Sequence, residues 1–244
     1  MPWRGGGPCG RGAPALTPSP PLVAALRARL GAKIGLGWAD PRCDYPPSGA
    51  TPPPGAVPAR LREFHAGRHA ARAALAAAGL PAPPNPAPPN PANPNPAPPI
   101  PIGPDRAPVW PPGIVGSLSH CATLCLAVVA RTSDLTGLGL DVEDDAPLPP
   151  DLWDIILSPA ELAQLPPTEP GQTAKRVFVA KEAAYKAQYP QSLALFDFHT
   201  LSVDIAEDHF SARFTRPIPP YKVGHVIHGQ FVRAPGLIAA VAQM

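Results

Sequence analysis

Leu138-Gly-Leu-Asp141-Val-Glu143 and, downstream, Phe178-Val-Ala-Lys181-Glu182-Ala-Ala-Tyr185-Lys186 are the two stretches on which the fold turns. The first reads as the strand over 138–142 and its end. Residues two apart on a strand project from the same face, so Asp141 and Glu143 share one. The second is the centre of a helix predicted over 172–189 and stopped by Pro190. Glu182 follows Phe178 by four and precedes Tyr185 by three, so it leans toward the apolar face. Working outward, 114–118, 121–130, 201–204, 210–214, 223–227 and 237–241 read as strands. Ser158 caps a short helix over 158–165, with Pro159 in first position and Glu161 three after the cap. Strands interspersed with helices, without a strict alternation, argue for an α+β fold.

Toward the N-terminus, a helix runs from Pro58 or Ala59 to residue 78, closed by Gly79 and Pro81. Leu61, Phe64, Ala71 and Leu75 make its apolar stripe, and Arg68 falls inside that stripe with Arg72 one turn on. An arginine there either snorkels to water or finds an anion or a carbonyl, because burying it unpaired is costly. Leu22, Leu26 and Leu30 mark a shorter helix over 22–30. Between 81 and 108, 14 of 28 residues are proline, out of 41 in the chain. Such a tract is neither helix nor central strand, and reads as an extended surface insertion.

The 244 residues allow one or two domains. A net charge of +2 gives no nucleic-acid-binding signature. No run is long and apolar enough for a membrane span. The N-terminus lacks the apolar centre of a secretory signal, so the cytoplasm is expected. Four cysteines in this length make no disulfide framework. Cys121 and Cys125 beside His120 lack a second ligand pair of zinc spacing, and read as small buried residues.

Asp141 and Glu143 admit two readings. One is a solvated strand end continued by Asp144 and Asp145. The other is a site whose like charges are relieved by a divalent cation, for which oxygen-only ligation suits Mg²⁺. Glu182 and Lys186, four apart, make at least a helix ion pair worth ~0.2–0.5 kcal/mol. Only five of the twenty basic residues are lysine, and Lys175, Lys181 and Lys186 cluster on this helix. A chain that otherwise uses arginine keeps lysine where a compact, mobile charge is wanted. Ser119-His120, between two strands, is either structural or a pair of phosphate donors.

These pieces stand in a recognisable order: Arg62-Glu-Phe-His-Ala-Gly-Arg68-His-Ala-Ala-Arg72, Trp110-Pro-Pro-Gly-Ile-Val-Gly-Ser-Leu-Ser119-His120-Cys, Gly139-Leu-Asp141-Val-Glu143, the Lys181-Glu182 helix, and Phe196-Asp-Phe-His199. In that order the chain resembles the Sfp-type 4'-phosphopantetheinyl transferases, and among them the branch of enterobactin synthase component D. The likeness covers roughly 59–79 and 109–241. The proline tract departs from it as an insertion, and the segment before Pro58 matches poorly.

The resemblance implies two similar α+β halves about a pseudo-twofold axis, with the active site between them and the boundary near Ser133. The expected layout is a disordered tail (1–20), an N-terminal subdomain (21–132, with the proline-rich insert 81–108) and a C-terminal subdomain (133–244) carrying the metal site. The implied reaction moves phosphopantetheine from coenzyme A to a serine of an apo acyl or peptidyl carrier protein, releasing adenosine 3',5'-bisphosphate. By the same resemblance Asp141, Glu143 and Glu182 hold Mg²⁺, while Glu182, Lys186 and Asp141 are catalytic. Arg68, Arg72, Ser119, His120, Lys181 and Lys186 bind coenzyme A, with Arg62 a weaker candidate. The protein is expected to be a monomer that serves carrier proteins, nonribosomal peptide and siderophore carriers among them. The alternative is a degenerate relative that binds coenzyme A or a carrier protein without turnover.

Overall fold

The computed structural model describes residues 20–46, 49–80 and 100–244. Residues 1–19 of the expected tail and 81–99 of the expected insert lie outside the described residues. The elements in chain order are α1 (Pro21–Arg29), β1 (Gly35–Ala39), α2 (Pro58–Ala77), β2 (Ile114–His120), β3 (Cys125–Arg131) and β4 (Leu138–Asp144). They continue with α3 (Trp153–Ile156), α4 (Pro159–Ala163), α5 (Pro170–Ser192), β5 (Leu201–Ile205), β6 (His209–Phe214), β7 (Val226–Ala234) and β8 (Leu237–Gln243). Two sheets result, a three-stranded one in the order β1-β3-β2 and a five-stranded one in the order β4-β8-β7-β6-β5. All their pairings are antiparallel.

Alternation along the strands decides what faces what. Cys125, Ala127 and Val129 of β3 pack under α2 against Ala66, Ala70, Ala71 and Ala74. Ile238, Ala240 and Ala242 of β8 pack under α5 against an equally alanine-rich face. The opposite faces of both sheets share a third cluster. There Leu126 and Val128 meet Leu138, Leu140, Val142 and Val241, covered by Leu22, Val23 and Leu26 of α1. The expected boundary near Ser133 lies between β3 and β4, but this core runs across it. On β4, with Leu138, Leu140 and Val142 committed to the α1 side, Asp141 must point to the α5 side.

The sheets meet along β2 and β4. Instead of a backbone ladder, serine hydroxyls bridge them: Ser117 Oγ accepts from the Leu140 N–H at 3.0 Å and Ser119 Oγ from the Val142 N–H at 3.2 Å. The partners advance together along both strands, so β2 and β4 run side by side in the same direction.

The structure departs from the expected elements in several places. Pro190 does not stop the long helix: α5 carries it inside its last turn and runs on to Ser192. Gly35-Leu-Gly37, with two poor strand formers, is nevertheless β1, because the glycines let α2 lie directly on it. The predicted strand 121–130 begins only at Cys125, since the Cys121 N–H closes a turn onto Leu124 O at 3.0 Å. The strand expected at 223–227 is β7, which starts only at Val226 and runs on to Ala234. Gly224, with φ 85°, makes a turn just before it. Finally, the last part of the insert is part of the core: Ile100 is fully buried, and Ile102 bridges Pro108 to close a small loop. The capping box at Ser158 and Glu161 forms as read from the sequence.

Candidate active site at the seam between the sheets

Where β2 and β4 meet, three side chains converge. Ser119 Oγ donates to Asp141 Oδ1 at 2.8 Å, and Lys186 Nζ donates to the same oxygen at 2.6 Å. Lys186 Nζ also lies 3.4 Å from Ser119 Oγ and 3.9 Å from Glu182 Oε2. Ser119 comes from the first sheet, Asp141 from the second, and Lys186 and Glu182 from the helix above. Asp141 is 3% exposed, and its other carboxylate oxygen, Oδ2, is buried with no hydrogen-bond partner. An unsatisfied buried carboxylate oxygen is expensive, so this atom waits for a donor or a cation.

The surrounding charges make the same demand. Burial pushes the Glu182 carboxyl above its ordinary value; Lys186 opposes the rise, while Asp141 and Glu143 add to it. Burial likewise raises Glu143, helped by Asp141 and opposed by Lys175, whose Nζ donates to Glu143 Oε2 at 3.2 Å. Asp141, Glu143 and Glu182 are together a hard, oxygen-only donor set of the kind Mg²⁺ prefers. Among the described residues, no three His, Cys, Asp or Glu side chains already stand in a closed metal-ligating group. The donor chemistry and the orphaned Oδ2 fit a divalent cation, with side-chain adjustment needed to gather all three carboxylates.

Beside this cluster opens a cleft of about 650 Å³. Its walls include Arg60, Phe64 and Arg68 of α2, Arg106 of the loop after the proline tract, and Ser119 and His120 at the end of β2. His120 Nε2 lies 3.1 Å from Arg60 Nη1, which also donates to Glu63 at 2.9 Å. Burial lowers the His120 pKa, Arg60 and Lys186 lower it further, and Glu63 and Asp141 oppose them. Arg68 is buried against the ring of Phe64, and its Nε donates to Ile100 O at 2.6 Å. Burial, then the Arg72 charge, brings its pKa down to about 10. A polyanion is the natural occupant of a cleft walled by three guanidinium groups and a histidine. On the other flank of Glu182, a pocket of about 240 Å³ is lined largely by Tyr185, Phe196, Phe198 and Leu201.

The expected residues are therefore distributed unequally. Ser119, Asp141, Glu182 and Lys186 come together, with Glu143 and its Lys175 partner adjoining. Arg68 and His120 line the cleft. Arg72 is half-buried one turn beyond, where burial first and then the Arg72 charge lower the pKa of His65 and His69. Lys181 requires a correction: its side chain is 1% exposed and its Nζ is held by Glu161 Oε2 at 2.7 Å and Ile156 O at 2.8 Å. An ammonium so enclosed serves the framework, not a phosphate. Cys121 and Cys125 carry free thiols, and burial pushes the Cys125 thiol up to about 12.

Two cleft residues escaped the sequence reading. Arg60, Glu63, Phe64, Gly67 and Arg68 follow the i, i+3, i+4, i+7, i+8 pattern of one helix face, so Arg60 was legible from Arg68. Arg106 left a fainter signal, as a cation in the turn Gly103-Pro-Asp-Arg106; its φ of 70° places it in the left-handed region, where a non-glycine residue is uncommon.

A family model described as the 4'-phosphopantetheinyl transferase N-terminal domain matches residues 54–130, and one described as the 4'-phosphopantetheinyl transferase superfamily matches 137–241. Among curated relatives, the chain is 38% identical over 170 residues to 4'-phosphopantetheinyl transferase Svp of Streptomyces mobaraensis, covering 67% of this chain and 63% of that one. It is 36% identical over 171 residues to 4'-phosphopantetheinyl transferase PptT of Mycobacterium tuberculosis, covering 66% and 69%. Enterobactin synthase component D of Escherichia coli is 38% identical over a shorter stretch of 106 residues, 41% of this chain and 50% of that one. The aligned stretches thus span about two thirds or less of these relatives' own lengths.

Proposed function

Since the chain belongs to the 4'-phosphopantetheinyl transferase superfamily, we propose that it moves phosphopantetheine from coenzyme A to a serine hydroxyl of an apo acyl or peptidyl carrier protein. The observation that carries this reading is the Ser119–Asp141–Lys186 triangle, with Glu182 beside it, at the mouth of a cationic cleft. The serine oxygen forms a bond to phosphorus as the bond to adenosine 3',5'-bisphosphate breaks. Such a transfer needs positioning and charge neutralisation more than covalent help.

Each residue then has a task. Arg60, Arg68, Arg106 and His120 hold coenzyme A phosphates in the larger cleft. The smaller aromatic pocket seats the pantetheine arm. Lys186, a compact ammonium already aimed at the seam, neutralises charge gathering on the leaving phosphate. Glu182, whose buried carboxyl binds a proton more readily than an ordinary glutamate, accepts the serine proton. Asp141, Glu143 and Glu182 would hold Mg²⁺, which supplies charge neutralisation at the pyrophosphate. The two oxygens of Glu182 suffice for both its tasks.

No described helix is long and apolar enough to cross a membrane. We place the protein in the cytoplasm as a monomer, with a siderophore-type peptidyl carrier as the first client to test. Incubation of purified apo acyl and apo peptidyl carriers with the protein, coenzyme A and Mg²⁺, followed by intact-mass spectrometry, tests the reading. One phosphopantetheine added to a carrier, and none after chelation, is the expected result. Unchanged carriers of both kinds, with coenzyme A still bound in calorimetry, would favour the degenerate binding relative.

A further inference from the structure

Lys181 is a more deeply buried charge on α5 than Lys175; the proposed reaction assigns it no task, and its bonds are unusually specific. Its partner Glu161 is 5% exposed and accepts three donors: Lys181 Nζ and the Ser158 N–H on Oε2, each at 2.7 Å, and the Val203 N–H on Oε1 at 2.8 Å. Lys181 Nζ donates in addition to Ile156 O at 2.8 Å. One ion pair therefore ties α5 to the end of α3, the first turn of α4 and the edge strand β5.

A buried ion pair is weak evidence of stabilisation, because desolvation consumes most of its attraction. It does define geometry, since each charge must meet its partners at hydrogen-bond distance. Lys181 precedes Glu182 directly and stands five residues before Lys186, so any rotation of α5 about its axis carries all three together. Toward β4 the helix is held by close packing, with Gly139 under Ala183 and no room for a Cβ, and by the Lys186–Asp141 and Lys175–Glu143 pairs. The Lys181–Glu161 pair adds a buried attachment to elements other than β4, through α3, α4 and β5. The first half repeats the device. Arg68 stands two residues before Ala70, which packs on Gly37, as Lys181 stands two before Ala183, and it too donates to a backbone carbonyl, Ile100 O at 2.6 Å.

We propose that Lys181, acting through Glu161, is a positioning residue that sets the rotation of α5 and so presents Glu182 and Lys186 to Asp141. The inference rests on the transferase reading, and the wild-type protein separates the two. No transfer by wild type to any carrier defeats that reading; transfer by wild type with an indifferent Lys181 variant defeats only this inference.

The experiment compares Lys181→Met with Val179→Ala, a core variant on the same helix that leaves the ion pair intact. Melting temperature, kcat and KM for coenzyme A are measured for each. For Lys181→Met, kcat falls about tenfold or more while KM for coenzyme A stays within about twofold, since a small misplacement harms the chemical step and spares phosphates held by other elements. Val179→Ala loses stability but keeps wild-type kcat. Should Lys181→Met fail to fold, Glu161→Gln/Lys181→Met removes both charges, leaves no buried charge uncompensated, and is measured in its place. Folded protein with kcat within twofold of wild type overturns the proposal. So does a loss confined to KM, a Val179→Ala variant that loses kcat equally, or failure of both Lys181 variants to fold.

Discussion

The two long helices rest on their sheets by the same contact and carry different chemistry. Gly35 and Gly37 on β1 lie under Ala74 and Ala70 of α2; Gly137 and Gly139 before and on β4 lie under Ala187 and Ala183 of α5. In every case a Cβ would come well within 3.0 Å of the helix backbone. Superposing the halves by these contacts sets Ala39 opposite Asp141, His69 opposite Glu182, Ala73 opposite Lys186 and Arg68 opposite Lys181. The first half thus lacks the paired acid and ammonium, and offers cations to the cleft. The second has three carboxylates and two lysines facing them. Identical packing specifies where a side chain stands, and only the residue placed there decides what it does.

The largest effect expected from this comparison is at Asp141. Asp141→Asn keeps the fold and lowers kcat by ~10²-fold or more, since the shared acceptor of Ser119 and Lys186 loses its charge. Ala39→Asp, at the matching place, buries a carboxylate with no ammonium opposite. It is expected to destabilise by ~3–5 kcal/mol, to be read from denaturant melts. Equal activity of wild type and Asp141→Asn would break the comparison.

A glycine pair sharpens it. Gly37→Ala and Gly139→Ala each force a helix from its strand, at ~1–3 kcal/mol of strain. Displacing α5 shifts Glu182 and Lys186, so Gly139→Ala lowers kcat. Displacing α2 shifts the cleft wall, so Gly37→Ala raises KM for coenzyme A. Steady-state kinetics on the two folded variants distinguishes these outcomes from a common loss of both constants.

The smallest effect concerns stability alone. Glu182 has a folded-state pKa above the ordinary 4.5. Its contribution is therefore fully favourable below 4.5 and is lost as pH rises through the raised value. In metal-free buffer, Glu182→Gln should melt higher than wild type near pH 8, with the advantage closing at acid pH. An unchanged pH dependence would show that the carboxyl is not strained in the folded protein.

Much of the seam was legible in advance because its residues obey short-range rules. Asp141 and Glu143 share a strand face, and Glu182 and Lys186 share a helix face. The lysine cluster also had a reason, since Lys175, Lys181 and Lys186 each pair with a different carboxylate, Glu143, Glu161 and Asp141. What escaped depends on contacts between distant segments. Lys181 looked available because its partner lies twenty residues earlier on another helix. β1 looked unlike a strand because its glycines answer to α2. Yet Gly35-Leu-Gly37 and Gly137-Leu-Gly139 stood in the sequence as a repeat, and their meaning emerged only once each was seen beneath a helix.

The division of labour between the halves is tested most directly by following intact-mass transfer at saturating coenzyme A for Arg60→Ala and Asp141→Asn side by side. Arg60→Ala should approach the wild-type rate once the weakened cleft is filled, and Asp141→Asn should remain at least ~10²-fold slower at any coenzyme A concentration. A rate for Asp141→Asn that recovers with coenzyme A, or one for Arg60→Ala that does not, would contradict the assignment of phosphate binding to the first half and chemistry to the second.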